Sequence, residues 1–120
     1  MARTALTKTA LPAFGSDGLD LTNASFTTLS TGSGNGKTWD FDATDIIILK
    51  NDTGGSATFT FILNPLSSVT ALGATVTDPV VVVANGVTRI LQVNSLFQQG
   101  SDSKVYVDCD VAGKVLVLDI

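Results

Sequence analysis

Apolar residues in this chain recur at every second position far more often than at the three-to-four spacing of a helix, which predicts strands. Residues 58–63 alternate Thr58, Phe59, Thr60, Phe61 and stop at Asn64-Pro65. Residues 45–51 form an apolar run that ends in the turn Asn51-Asp52-Thr53-Gly54-Gly55, and these two segments are expected to pair as a hairpin. Residues 80–83 and 87–93 flank Ala84-Asn85-Gly86, and Asn-Gly between apolar runs is a strong hairpin signal. A third hairpin is expected from residues 104–111 and 114–120 around Ala112-Gly113. Trp39 and Phe41 alternate with Asp40 and Asp42, as in a strand or bulge with one buried face. Residues 2–10, 19–21 and 25–30 read as weaker extended segments, and 67–72 and 95–99 as single helical turns.

The fold class that follows is all-β: one small β-sandwich or barrel, jelly-roll or Ig-like, of about seven to nine short strands. Residues 1–12 are expected to form an extended N-terminal arm and residues 13–120 the sandwich. The arm either reaches another chain by strand addition or lies as an edge strand of its own sheet.

Length and composition agree with one domain. The chain has 120 residues, 44% of them hydrophobic, enough for a core without staples. Only 15% are charged, and the net charge is −4, with seven basic residues scattered one per segment. That balance argues against a nucleic-acid partner, because phosphate affinity needs clustered Lys and Arg. No apolar run reaches membrane-spanning length, and the opening residues lack the apolar centre of a secretory signal, so no membrane partner is expected.

Candidate chemistry is sparse. There is no histidine, the commonest general base and metal ligand. Cys109 is the single cysteine and shares a strand face with Val105, Val107 and Val111, which reads as a core position rather than a nucleophile. Gly32-Ser33-Gly34-Asn35-Gly36-Lys37-Thr38 imitates a phosphate-binding loop, but the position that should open the motif is Thr31 and strand-like residues follow, so a flexible surface loop is expected. Asp40, Asp42 and Asp45 are the densest carboxylates, yet they lack the glycine and glutamate of a calcium loop. Asp108 and Asp110, with Tyr106, read as a solvated strand face. Trp39 reads as a core or rim residue, with a sugar platform as the alternative. The expectation is no enzyme, no catalytic residue, no metal and no cofactor.

Several segments resemble a family of small proteins from tailed-phage structural gene clusters, the head decoration or capsid cement proteins. The resemblance rests on Met1-Ala2-Arg3-Thr4-Ala5-Leu6-Thr7, on Ile48-Leu49-Lys50-Asn51 followed by Gly54-Gly55-Ser56, on residues 80–89 with their Thr88-Arg89 ending, and on Lys104-Val105-Tyr106-Val107-Asp108. It spans most of residues 1–11 and 45–120 and leaves 12–44 poorly matched, and Asn94 to Gln99 stand without proline where the family has a Pro-rich corner. It implies a virion structural protein on the capsid exterior, made in the host cytoplasm, that binds the major capsid protein, stabilises the shell and forms a homotrimer. Arg3, Thr4, Leu6 and Lys8 of the arm would then reach the capsid or a neighbouring protomer. A head-fibre base, a neck or tail module, and a carbohydrate-binding adhesin-like sandwich are the competing expectations.

Overall fold

The structure is a computed structural model that describes residues 3–11, 18, 21, 25–63, 78–99 and 102–119, apart from the side chain of Leu96. Ten strands run in chain order: β1 (Thr4–Ala5), β2 (Thr9–Ala10), β3 (Thr27–Thr28), β4 (Lys37–Asp40), β5 (Ile46–Lys50), β6 (Ala57–Phe61), β7 (Val80–Val83), β8 (Thr88–Leu91), β9 (Lys104–Cys109) and β10 (Lys114–Asp119). Sheet A has the order β1-β4-β9-β6-β7. Sheet B has the order β2-β10-β5-β8, and β3 also pairs with β10. The eight strands β3 to β10 thus give two four-stranded runs, β3-β10-β5-β8 and β4-β9-β6-β7, which is jelly-roll order. The Ig-like alternative does not fit, since β10 lies beside β5 rather than in the sheet of β9.

Alternation places the core between the sheets. Trp39, Ala57, Phe59, Phe61, Val83, Val105, Val107 and Cys109 from sheet A meet Ile47, Leu49, Val115 and Val117 from sheet B in one cluster. A second cluster, Phe26, Ile48, Leu116 and Leu118, lies on the outer face of sheet B. That is why β5 reads as an unbroken apolar run: Ile47 and Leu49 face the core while Ile48, at 3% exposure, is covered from outside.

None of the three expected hairpins forms. β5 and β6, β7 and β8, and β9 and β10 each lie in opposite sheets, so each turn is an arch over the end of the core. The turn chemistry is satisfied between loops instead of within one. Asn51 is fully buried, and its side-chain amide donates to the carbonyls of Gly55 (2.6 Å) and Val83 (2.7 Å). Its backbone carbonyl accepts from Gly86 N at 2.7 Å, and Asn85 Oδ1 accepts from Gly54 N at 2.9 Å. Gly86, at φ 80°, supplies the left-handed residue that this arch needs. In the last arch a Cβ on Gly113 would lie 2.5 Å from the Phe59 ring, so glycine lets the corner close on the core.

The helical turn expected at 95–99 is a 3-10 helix at Ser95–Phe97. The one expected at 67–72 lies outside the described residues, as do residues 19 and 20 of the weak segment 19–21.

Candidate binding surface

The N-terminal segment belongs to both sheets. β1 pairs in parallel with β4 (Thr4 opposite Lys37), and β2 pairs in parallel with β10 (Thr9 opposite Leu118). Between them Leu6 N donates to Thr38 O at 2.8 Å, and the Leu6 side chain enters the main core at 8% exposure. Of the two placements expected for this segment, the described residues 3–10 take the edge-strand one. The boundary proposed near residues 12 and 13 falls outside the described residues.

Each of the four arm residues singled out in the sequence is held by this same chain. Arg3 forms a two-pronged pair with Asp108, Nε to Oδ1 at 2.8 Å and Nη2 to Oδ2 at 2.6 Å, and its guanidinium lies 4.9 Å from the Tyr106 ring centre. Thr4 Oγ1 accepts from Lys37 Nζ at 2.6 Å and is exposed. Leu6 is core. Lys8 Nζ stands 2.6 Å from Asp45 Oδ2. Partner contact through this surface is thus confined to what these contacts leave open.

Asp108 corrects the expectation of a solvated face. It does point outward from β9, but it is only 4% exposed, because the glycine-rich loop folds over it. Gly34 N donates to Oδ2 at 2.9 Å and Gly36 N to Oδ1 at 3.1 Å. The loop itself is tied, with Gly32 N on Cys109 O (2.9 Å) and Asn35 Nδ2 on Thr31 O (2.9 Å), so the flexible loop expected from composition is a pinned one. A Cβ on Gly36 would overlap the Val107 carbonyl, which fixes glycine there. Lys37 and Thr38 then begin strand β4, not a helix, and the amides that a phosphate would use are directed at a carboxylate of the protein. Burial pushes the Asp108 carboxyl up, but the Arg3 guanidinium and the two loop amides outweigh it and leave it below the ordinary carboxylate value.

The acidic residues near 40–45 divide. Asp40 pairs with Lys104 (2.8 Å), and Asp42 Oδ1 accepts from Thr44 N (3.0 Å) and Thr44 Oγ1 (2.9 Å). Asp45 precedes β5 and lies beside Asp119, one step beyond the Ile46–Leu118 pair. Oxygens of Asp42, Asp45 and Asp119 come within 4.8 Å of one another. Asp45 is 3% exposed, and among the described residues neither of its carboxylate oxygens makes a hydrogen bond of good geometry; the Lys8 ammonium, 2.6 Å from Oδ2, forms an ion pair with it. Burial raises the Asp45 carboxyl above the ordinary range, Lys8 opposes this, and Asp42 and Asp119 add to it. The grouping of Asp119 with the acidic loop was not visible in the sequence, where it lies more than seventy residues away. The Lys8 ammonium already provides this cluster with its cation.

Trp39 is 2% exposed and packs in the core, which removes it as a sugar platform. Cys109 is 2% exposed, and burial pushes its thiol up, away from the thiolate that nucleophilic chemistry requires.

The open parts of the surface lie at the far edges of the sheets. β7 ends sheet A and β8 ends sheet B, and among the described residues neither has a strand on its outer side. Val80, Val82 and Ile90 on these strands are 53%, 55% and 69% exposed. Next to β7, on the outer face of sheet A, a cleft of about 460 Å³ runs between β6 and β9. Comparisons of the chain with protein-family models, with curated proteins and with solved structures give no match.

Proposed function

We propose that this chain is a virion structural protein, a decoration protein that binds the major capsid protein on the outside of a phage head, acts as a homotrimer and stabilises the shell. The observation that carries the reading is the pair of sheet edges, β7 and β8, that bear no further strand among the described residues. β7 is four valines with no charge, and β8 has Arg89 as its single charged residue. Exposed aliphatic edge strands invite association, and a monomer usually blunts them with charge or proline. Here they are left as a binding strip. The resemblance in residues 1–11 and 45–120 supplies the identity of the partner. The absence of histidine and the burial of Cys109 support a non-enzymatic role. Three copies of one weak contact raise occupancy through avidity, and binding only to the assembled shell stabilises it by mass action.

The test is light scattering behind size-exclusion chromatography over a dilution series, followed by sedimentation with expanded capsids. A trimer that co-sediments supports the proposal. A closed ring of higher order that ignores capsids would move the protein to a neck or tail role, and a glycan-binding monomer would make it an adhesin-like module.

A further inference from the structure

We infer that the outer face of sheet A, between β7 and β9, is the docking face for an extended partner segment that carries Lys or Arg between aliphatic residues. The inference rests on the binding role proposed above and names the chemistry of the partner. Residues directly opposite across a ladder share a face. Thr58 lies opposite Val82, Thr60 opposite Val80 on one side, and Thr60 opposite Asp108 on the other. The exposed valines, the two threonines and the β9 carboxylates therefore form one surface. The cleft of about 460 Å³ lies in it, lined by Thr58, Thr60, Ile62, Asp78, Asp108 and Asp110 among others.

Its charge is one-sided. No Lys or Arg lines the cleft among the described residues. Asp108 is already neutralised by Arg3. Asp110 Oδ1 accepts from Thr58 N (2.8 Å) and Asp78 Oδ1 from Leu63 N (2.9 Å), and among the described residues no donor meets the second oxygen of either. A partner cation would meet two anchored carboxylates, and its aliphatic neighbours would cover Val80 and Val82. The outer edge of β7, which has no strand beside it among the described residues, lies alongside, where an extended segment can add as a strand.

The probe is a short synthetic peptide of alternating lysine and valine, with the glutamate–valine peptide as control, titrated into the full chain while backbone amide shifts are recorded. The lysine peptide is expected to bind, with shifts clustered at Thr58, Thr60, Val80 and Val82. Asp78→Asn and Asp110→Asn keep the backbone acceptors, and each should weaken binding about fivefold, the scale of an exposed ion pair. Asp42→Asn, in the loop between β4 and β5 and outside the lining of the cleft, should leave it unchanged. Equal binding of the glutamate peptide, shifts centred elsewhere, or an equal loss in Asp42→Asn would overturn the inference. Capsid sedimentation of the same variants separates the two readings. Peptide binding without capsid binding by the unmodified chain refutes the decoration role alone. Capsid binding that Asp78→Asn and Asp110→Asn leave intact refutes this docking face alone.

Discussion

Replacing Asp108 with alanine removes the acceptor that holds the arm, the glycine loop and β9 together. The side chain is 6% exposed and receives Arg3 Nε, Arg3 Nη2, Gly34 N and Gly36 N. Two backbone amides, the buried Gly36 N and the part-buried Gly34 N, lose their partner, at about 1 kcal/mol each. The Arg3 side chain, 22% exposed, regains some water, so its stranded charge adds only about 1 kcal/mol. The expected loss is about 3 kcal/mol, which for a domain of this size lowers Tm by about 12 °C. Trp39, the single tryptophan and a core residue, reports unfolding in urea by fluorescence. Asp108→Ala, Arg3→Ala and the double variant form a cycle, and the double variant should be little worse than Asp108→Ala, with a coupling of about 1 kcal/mol or more. The pH dependence has a fixed sign. A carboxyl held below its ordinary value of 3.8 contributes stability above that value, and the contribution fades as pH falls through the folded-state value. A loss under about 1 kcal/mol, or additive single effects, would refute the idea that Asp108 fastens the arm.

Leu6→Ala should cost about 2–4 kcal/mol, because a core side chain is truncated, and urea midpoints check it. Deleting residues 2–11 therefore should destabilise the domain itself, so capsid-binding loss in that variant has to be read beside its melting curve. Gly36→Ala should lower stability by more than about 2 kcal/mol through the clash with Val107 O, against a neutral Gly55→Ala, whose added Cβ meets nothing. Asp45 titrates with the opposite sign to Asp108: its folded-state value is raised, so stability falls as pH climbs from the ordinary 3.8 through that value. Asp45→Asn should flatten this slope in urea titrations taken at successive pH values, and an unchanged slope would remove Asp45 as its source.

The sequence disclosed most strands and their inward faces, since Phe59, Phe61, Val105, Val107 and Cys109 all face the core as their alternation requires. Pairing was not legible. Asn85-Gly86 marks a reversal of the chain, but whether the chain returns to the same sheet or crosses to the other depends on the distant Asn51 and on Val83 packing across the core. The strand β9 gave the same lesson at one residue. Its period correctly put Asp108 outward, yet the lid over it comes from Gly34, Gly36 and Arg3, which no local pattern connects to it. Jelly-roll order is likewise a product of strand assembly, whereas the absence of histidine was evident from composition alone.

The two parallel pairings of the N-terminal segment have a consequence for how the chain is made. Arg3 meets Asp108 across 105 positions, and Thr9 pairs with Leu118. Sheet B cannot complete its β2 edge, nor Leu6 its core contacts, until the last strand has left the ribosome. Pairings this remote carry a large loop-closure cost and slow folding. The residues of β2 are thus made well before their partner β10 and are among the last to settle, and during that interval they remain available to pair with a different copy of the same molecule.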